Sequence, residues 1–231
     1  KHLWNSAKAN ELYATMIIVN INESLHSGKN PQLLQDSILL AEKHFNRILE
    51  LGVKSYSANA NLALINMLYK KNIKNALYHF EEATKLATDF IGKEEEKKLY
   101  YYYGYCLMQS KEYEKAKSYF EHVCKLDSFN LMAYNLWSSA EYHTKSFDKA
   151  IAINRSLIKK DFGGIQPYLN LAMCYMEKGD KNAGVKYFKK VLGMQPGNKI
   201  ACWHLAEYYH AIGNTDSAKY YTGKMKERYD Y

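Results

Sequence analysis

Eight histidines and four cysteines are the side chains of this sequence best suited to metal binding or nucleophilic chemistry, and their spacing supports neither. His2, His26, His44, His79, His122, His143, His204 and His210 are scattered, with no His-Glu-x-x-His element and no His/Cys group at ligand spacing. Cys106, Cys124, Cys174 and Cys202 fall at helical positions without a Cys-x-x-Cys pair, which reads as reduced thiols packed as small hydrophobes. No phosphate-cradling glycine loop, Gly-x-Ser-x-Gly elbow or paired-carboxylate constellation occurs, and Gly163-Gly164 reads as a link between helices. The expectation is a chain with no metal, no cofactor and no catalytic centre. Two Asn-x-Ser triplets, at Asn22 and Asn154, lie inside helical patterns and read as chance. What remains is the chemistry of contact. Tyrosines are abundant at 22, and each offers a large ring with a polar tip, while asparagine amides can pair with another chain's backbone.

The elements that must position these groups come from a fixed beat. Ala116, Ala150, Gly184 and Ala218 are spaced 34 apart, and Phe120, Asn154, Phe188 and Thr222 each follow by four. Ahead of them, at matching offsets, stand Tyr103-Gly104, Trp137-Ser138, Leu171-Ala172 and Leu205-Ala206. A repeat of this length means stacked supersecondary units, each of which buries its apolar face on its neighbour. Apolar and small residues recur at helical spacing, no useful alternating strand pattern appears, and three prolines interrupt the chain. Gly179-Asp180 and Gly213-Asn214 supply left-handed turn residues, and Pro196 stops a helix. The pattern predicts twelve helices in pairs: 3–27 and 31–51, 55–70 and 73–89, 93–110 and 113–126, 130–144 and 147–160, 164–178 and 181–194, 198–212 and 215–229.

The unit Tyr168-x2-Leu171-Ala172-x2-Tyr175, then Gly184, Phe188 and Pro196, resembles the tetratricopeptide repeat family. Three more units continue it without a gap. They read Tyr100-x2-Tyr103-Gly104-x2-Leu107 with Ala116 and Phe120, Tyr134-x2-Trp137-Ser138 with Phe147 and Ala150, and Cys202-x2-Leu205-Ala206-x2-Tyr209 with Ala218. An earlier unit, Ala60-x2-Ala63-Leu64-x2-Met67 with Ala76 and Phe80, precedes about six extra residues around Gly92. The opening unit places Ala41 and Phe45 35 residues before it and has a long first helix. The resemblance implies an all-α, right-handed α-α superhelix, or solenoid, of about six helix pairs. It implies one solenoid domain over 1–231, with units at 3–53 (atypical), 57–91, 97–130, 131–164, 165–198 and 199–231.

It also implies a function. In this family the first helix of each pair lines a concave groove for a peptide or helix from a partner, and six offsets point into it. Read onto this chain, they give Asn61, Ile65 and Tyr69, then Lys98, Tyr101, Tyr102, Tyr105 and Gln109. Asn135, Ser139, Tyr142 and His143 follow, then Gln166, Asn170, Met173 and Met176, and finally Trp203, His204, Glu207 and His210. For Tyr102 and Trp203, packing between adjacent first helices is an equal alternative. The Lys/Asn/Asn/Lys/Arg clamp by which some members hold a C-terminal carboxylate is not matched over three consecutive units: Asn170 fits one station, and Ile200 and His204 break the next.

Charge narrows the partner. The formal net charge is +8, with 11 basic and 11 acidic residues in 1–96 but 21 and 13 in 97–231. The lysines of the later part, such as Lys111, Lys115, Lys117, Lys149, Lys159, Lys160, Lys186, Lys189 and Lys190, fall mostly on second helices, the convex side in this family. They read first as a solvated outer face and second as a patch for an acidic partner, a membrane surface or nucleic acid. No apolar run is long enough to span a membrane. The start at Lys1 lacks a leader pattern, which suggests an excised fragment and leaves cytoplasm and periplasm both open. Abundant Lys, Asn and Tyr point to a bacterial source. The expected function is a non-catalytic protein-interaction scaffold. The alternative is a regulatory or anchoring domain of a larger bacterial sensor kinase, membrane glycosyltransferase, or secretion or pilus machine, with nucleic-acid binding ranked behind both.

Overall fold

The computed structural model describes residues 6–26, 31–87, 92–162 and 164–226, and every regular element in them is helical. The chain divides into two compact units, residues 1–112 and 113–231. The first holds α1 (Ala7–His26), α2 (Pro31–Glu50), α3 (Tyr56–Leu64) with a π-helical extension Ile65–Tyr69, α4 (Ile73–Leu86) and α5 (Lys93–Gln109). The second holds α6 (Tyr113–Leu126), α7 (Leu131–His143), α8 (Phe147–Lys159), α9 (Gln166–Glu177), α10 (Lys181–Met194), α11 (Lys199–Ala211) and α12 (Thr215–Lys226). Within each unit every helix packs on its chain neighbour, and α7 also touches α9. These are the twelve helices the spacing predicts, with boundaries moved by a few residues. The far ends of the helices expected at 3–27, 73–89 and 215–229 lie outside the described residues.

Local chemistry explains where the helices begin. Ser55, Asn130 and Asn198 precede first helices of pairs, and Asn72, Asp180 and Asn214 precede second helices. Each side-chain oxygen accepts the backbone N–H three residues on, at 3.0 to 3.1 Å. A cap of this kind satisfies an otherwise orphaned donor and is worth about 1 kcal/mol. Between the helices of a pair the chain turns through a left-handed residue. Gly179 (φ 88°) and Gly213 (φ 76°) do this as the sequence predicts, but Lys71, Lys111 and Lys145 hold the same station at φ 55°, 64° and 59°.

Short helices of 12 to 14 residues are marginal alone, so packing must hold them. Phe45 and Phe80 in the first unit, and Phe120 and Phe188 in the second, have no more than 1% of their surface exposed. They are the rings set four residues after the beat position, where Ala41, Ala76, Ala116 and Ala150 are fully buried. Burying one such ring stabilises the fold by roughly 2–3 kcal/mol.

Three details depart from the sequence reading. In α3 the buried pair is Leu62-Ala63 rather than Ala63-Leu64, so the packing register lies one residue earlier. The spacing of 35 between Ala41 and Ala76 holds one residue more than the 34-residue beat, and the π-helical extension takes it up. Ile65, expected on the groove, is consequently core at 1% exposure. Gly184 replaces the beat alanine because a methyl there would sit 2.6 Å from the Met176 sulfur and 3.1 Å from the Ala172 carbonyl. Met176, also expected on the groove, instead packs on the cluster around Leu169 and Phe188. Finally, Glu141 occupies a core station that Leu107, Tyr175 and Tyr209 fill elsewhere. It is buried, accepts from Trp137 Nε1 at 3.2 Å and lies 3.8 Å from Lys117 Nζ.

Candidate partner-binding face

The candidate residues sit on first helices because those helices turn one stripe to the core and leave the adjacent stripe outside. Asn61, Tyr69, Tyr101, Tyr102, Tyr105, Asn135, Tyr142, Asn170, Met173 and His204 are half-buried. Lys98, Gln109, His143, Gln166, Trp203 and Glu207 are exposed. No candidate in either group is fully buried, unlike Ile65.

In the first unit, Asn61 donates to its own helix at Ser57 O (2.9 Å), and Tyr69 packs on the cluster that contains Phe45. Tyr101 and Tyr102 form an edge-to-face pair with centroids 5.3 Å apart. Burial raises the Tyr101 phenol above its ordinary value, and the neighbouring Tyr102 and Tyr105 add to it. The same unit holds two Asn–His pairs. Asn10 and Asn59 donate to Ser6 O and Ser55 O (2.9 and 3.0 Å), which leaves their oxygens to accept from His44 Nδ1 (2.7 Å) and His79 Nδ1 (2.9 Å).

The second unit is richer. His143 stacks on Tyr113 (4.3 Å, 12°) and meets Tyr142 edge-on, while the Tyr142 hydroxyl donates to Glu177 at 3.4 Å. His204 stacks on Phe188 (4.7 Å, 14°), with Trp203 edge-on against it and 51% exposed. Burial pulls the His204 imidazole below its ordinary value, against the opposing pull of Glu177 and Glu207, so this ring stays neutral near pH 7. Gln166 donates to Asn170 at 2.9 Å, and the Asn135 side-chain oxygen is buried with no hydrogen-bond partner among the described residues.

One feature of this unit escaped the sequence reading. Asn154, fully buried, donates to Ala150 O (2.8 Å) and to Ser138 Oγ, and accepts from Asn170 Nδ2 (3.3 Å). Beside this network lies a pocket of about 90 Å³ lined by Ser138, Ser139, Tyr142 and His143 of α7 and Asn170, Met173 and Cys174 of α9. Its signal in the sequence is the asparagine at the beat phenylalanine's station.

Charge is segregated by helix. Among α7, α9 and α11 the only Lys or Arg is Lys199, beside Glu141, Glu177 and Glu207. Helices α8, α10 and α12 carry Lys149, Arg155, Lys159, Lys181, Lys186, Lys189, Lys190, Lys219, Lys224 and Lys226. Several of those cations cover tyrosine faces, with Arg155 over Tyr175, Lys189 over Tyr209 and Lys190 over Tyr168. The four cysteines are buried thiols. Burial lifts the thiols to about 11 at Cys106 and about 12 at Cys124 and Cys174. Among the described residues no group of three or more His, Cys, Asp or Glu could hold a metal ion, and no helix is long and apolar enough to cross a membrane.

Stacked helix pairs with a 34-residue beat define an all-α helical-repeat protein of the solenoid class. Comparison with known proteins names the repeat. Residues 97–130 and 165–198 each match a model of the tetratricopeptide repeat. The chain contains tetratricopeptide repeats, and an all-α repeat fold of this kind suits a scaffold for protein–protein contact. No curated protein sequence matches it. Among solved structures it is similar to YrrB, described as a TPR protein with an unusual peptide-binding site, at 17% identity over 90% of this chain and 93% of that one, TM-score 0.70. It is similar to a tetratricopeptide repeat protein from Parabacteroides merdae at 13% identity over 92% and 78%, TM-score 0.69. MamA from Desulfovibrio magneticus follows at 16% identity over 74% and 94%, TM-score 0.61.

Proposed function

We propose that the chain is a non-catalytic scaffold that holds a segment of a partner protein along its first helices. The observation that carries this reading is the segregation of surface chemistry. In the second unit the first helices α7, α9 and α11 present part-exposed tyrosine, tryptophan, asparagine and glutamine with Lys199 as their single Lys or Arg, while α8, α10 and α12 carry the cations. Rings of this kind give contact area at low entropic cost, and the amides pair with an extended or helical backbone. YrrB, of similar fold, is described as having an unusual peptide-binding site, and this supports a peptide-binding role.

Selection of random peptides displayed on phage tests the reading. Wild-type protein should enrich peptides that bind in the micromolar range, and a good share should lose about tenfold or more on Tyr101→Ala with Tyr105→Ala or on Asn170→Ala with Trp203→Ala. Unchanged helicity in both variants separates lost contacts from lost fold. Enriched peptides that bind all three proteins equally would overturn the assignment.

A further inference from the structure

We propose that the pocket beside Asn154 is the specificity pocket of this face, taking one branched aliphatic side chain of a peptide with a cationic residue next to it. The inference rests on the groove reading above and names the chemistry of its partner. In four units of the chain the residue four after the beat position is a fully buried phenylalanine: Phe45, Phe80, Phe120 and Phe188. At the fourth pair it is Asn154, equally buried but shorter and polar. Removing a ring from a packed interface leaves either a collapse or a space. A pocket of about 90 Å³ lies next to this station; Asn154 does not itself line it, but Ser138 and Asn170, which do, are both hydrogen-bonded to Asn154.

Size and lining choose the occupant. An apolar cavity of about 150 Å³ takes benzene, so this smaller, open pocket fits a leucine or valine side chain better than an aromatic ring. Met173, Cys174 and the Tyr142 ring supply apolar wall. Asn170 gives one N–H to Asn154 and one lone pair to Gln166, which leaves one donor and one acceptor for a peptide unit. Glu177 is exposed and hydrogen-bonded to Tyr142 at the rim, and Lys178, next to it in the chain, is paired with Asp148, so Glu177 favours a cation flanking the inserted side chain.

Methyl-labelled methionine reads the pocket directly, because Met173 lines it. The full chain would be titrated with acetylated, amidated pentapeptides Gly-Lys-X-Gly-Gly in which X is Leu, Val, Phe or Glu, and with Gly-Glu-Leu-Gly-Gly. The Met173 methyl resonance should shift and saturate with Leu and Val and stay still with Phe and Glu. Exchanging the flanking Lys for Glu should weaken the Leu peptide by about two- to fivefold, the range of one exposed ion pair. Asn154→Phe, which restores the ring, should abolish the Met173 response without lowering the melting temperature. Should Asn154→Phe fold poorly, Ser139→Phe closes the pocket from its half-exposed edge and should abolish the response in the same way. A Met173 response that survives either substitution in a folded protein, or that shows no preference among the peptides, overturns the proposal. A silent Met173 with shifts still seen at Trp203 sinks the pocket and spares the groove. Silence across the whole first-helix face sinks both.

Discussion

At Ala150 the beat residue has no exposed surface and packs among Ile151, Leu171 and Cys174. Overfilling such a contact costs roughly 1–3 kcal/mol, so Ala150→Leu should lower the unfolding free energy by that amount, read as a lower denaturant midpoint at unchanged slope, and an unchanged midpoint would put the register in error. Buried histidines add a dependence on pH. Burial lowers His44, His79 and His204, with Lys43 adding to it at His44 and nearby carboxylates opposing it at the other two. Below the ordinary histidine value of about 6.5 the unfolded chain binds protons that these folded imidazoles refuse. Stability should therefore be full above about pH 7 and fall as the pH drops through 6.5 toward the lowered folded values. Guanidinium midpoints at a series of pH values should show that slope, and His79→Gln with His204→Gln should flatten it. A midpoint that rises on acidification would contradict the burial argument. The beat alanines and phenylalanines were legible in the sequence because packing repeats them. Asn154 and Glu141 show the limit, since each breaks the repeat and its role depends on groups contributed by other helices.

Helix starts carry Ser, Asn or Asp caps that the period did not single out, and the ends were only half legible. Gly179 and Gly213 announce a left-handed turn, whereas Lys71, Lys111 and Lys145 adopt it without any residue preference to advertise it. The demand comes from closing hydrogen bonds such as Lys145 N to Tyr142 O and Ser146 N to Glu141 O, which any residue can make at a conformational cost. Lys145→Gly, at an exposed turn, removes that cost and should raise stability by about 0.5–1 kcal/mol in a denaturant titration. A loss of stability would mean that the lysine side chain contributes more than its backbone strain. The π-helical extension Ile65–Tyr69 is the other hidden element. Its only trace in the sequence is one residue too many between Ala41 and Ala76, and composition does not say where in the pair that residue is absorbed.

Across the whole chain, the period made the repeat class readable, and the paired-helix pattern follows from it in both compact units. The candidate face was readable only through the resemblance, because which helix of a pair turns outward is a property of stacking and not of any one helix's pattern. Asn61 hydrogen-bonds its own helix and Tyr69 packs on core, while Trp203 stands half exposed, and hydrophobic periodicity alone does not separate these cases. Segregation of charge between α7, α9 and α11 and their partners α8, α10 and α12 supports a partner held on the first helices. Fluorescence anisotropy of one phage-selected peptide against three proteins tests it most directly. These are the wild type, Asn170→Ala with Trp203→Ala on the first-helix face, and Lys186→Glu with Lys190→Glu on the second-helix face. The account predicts about tenfold or greater loss of affinity in the first variant and less than about twofold in the second. The opposite order, with the lysine variant losing the peptide and the first-helix variant keeping it, would contradict it.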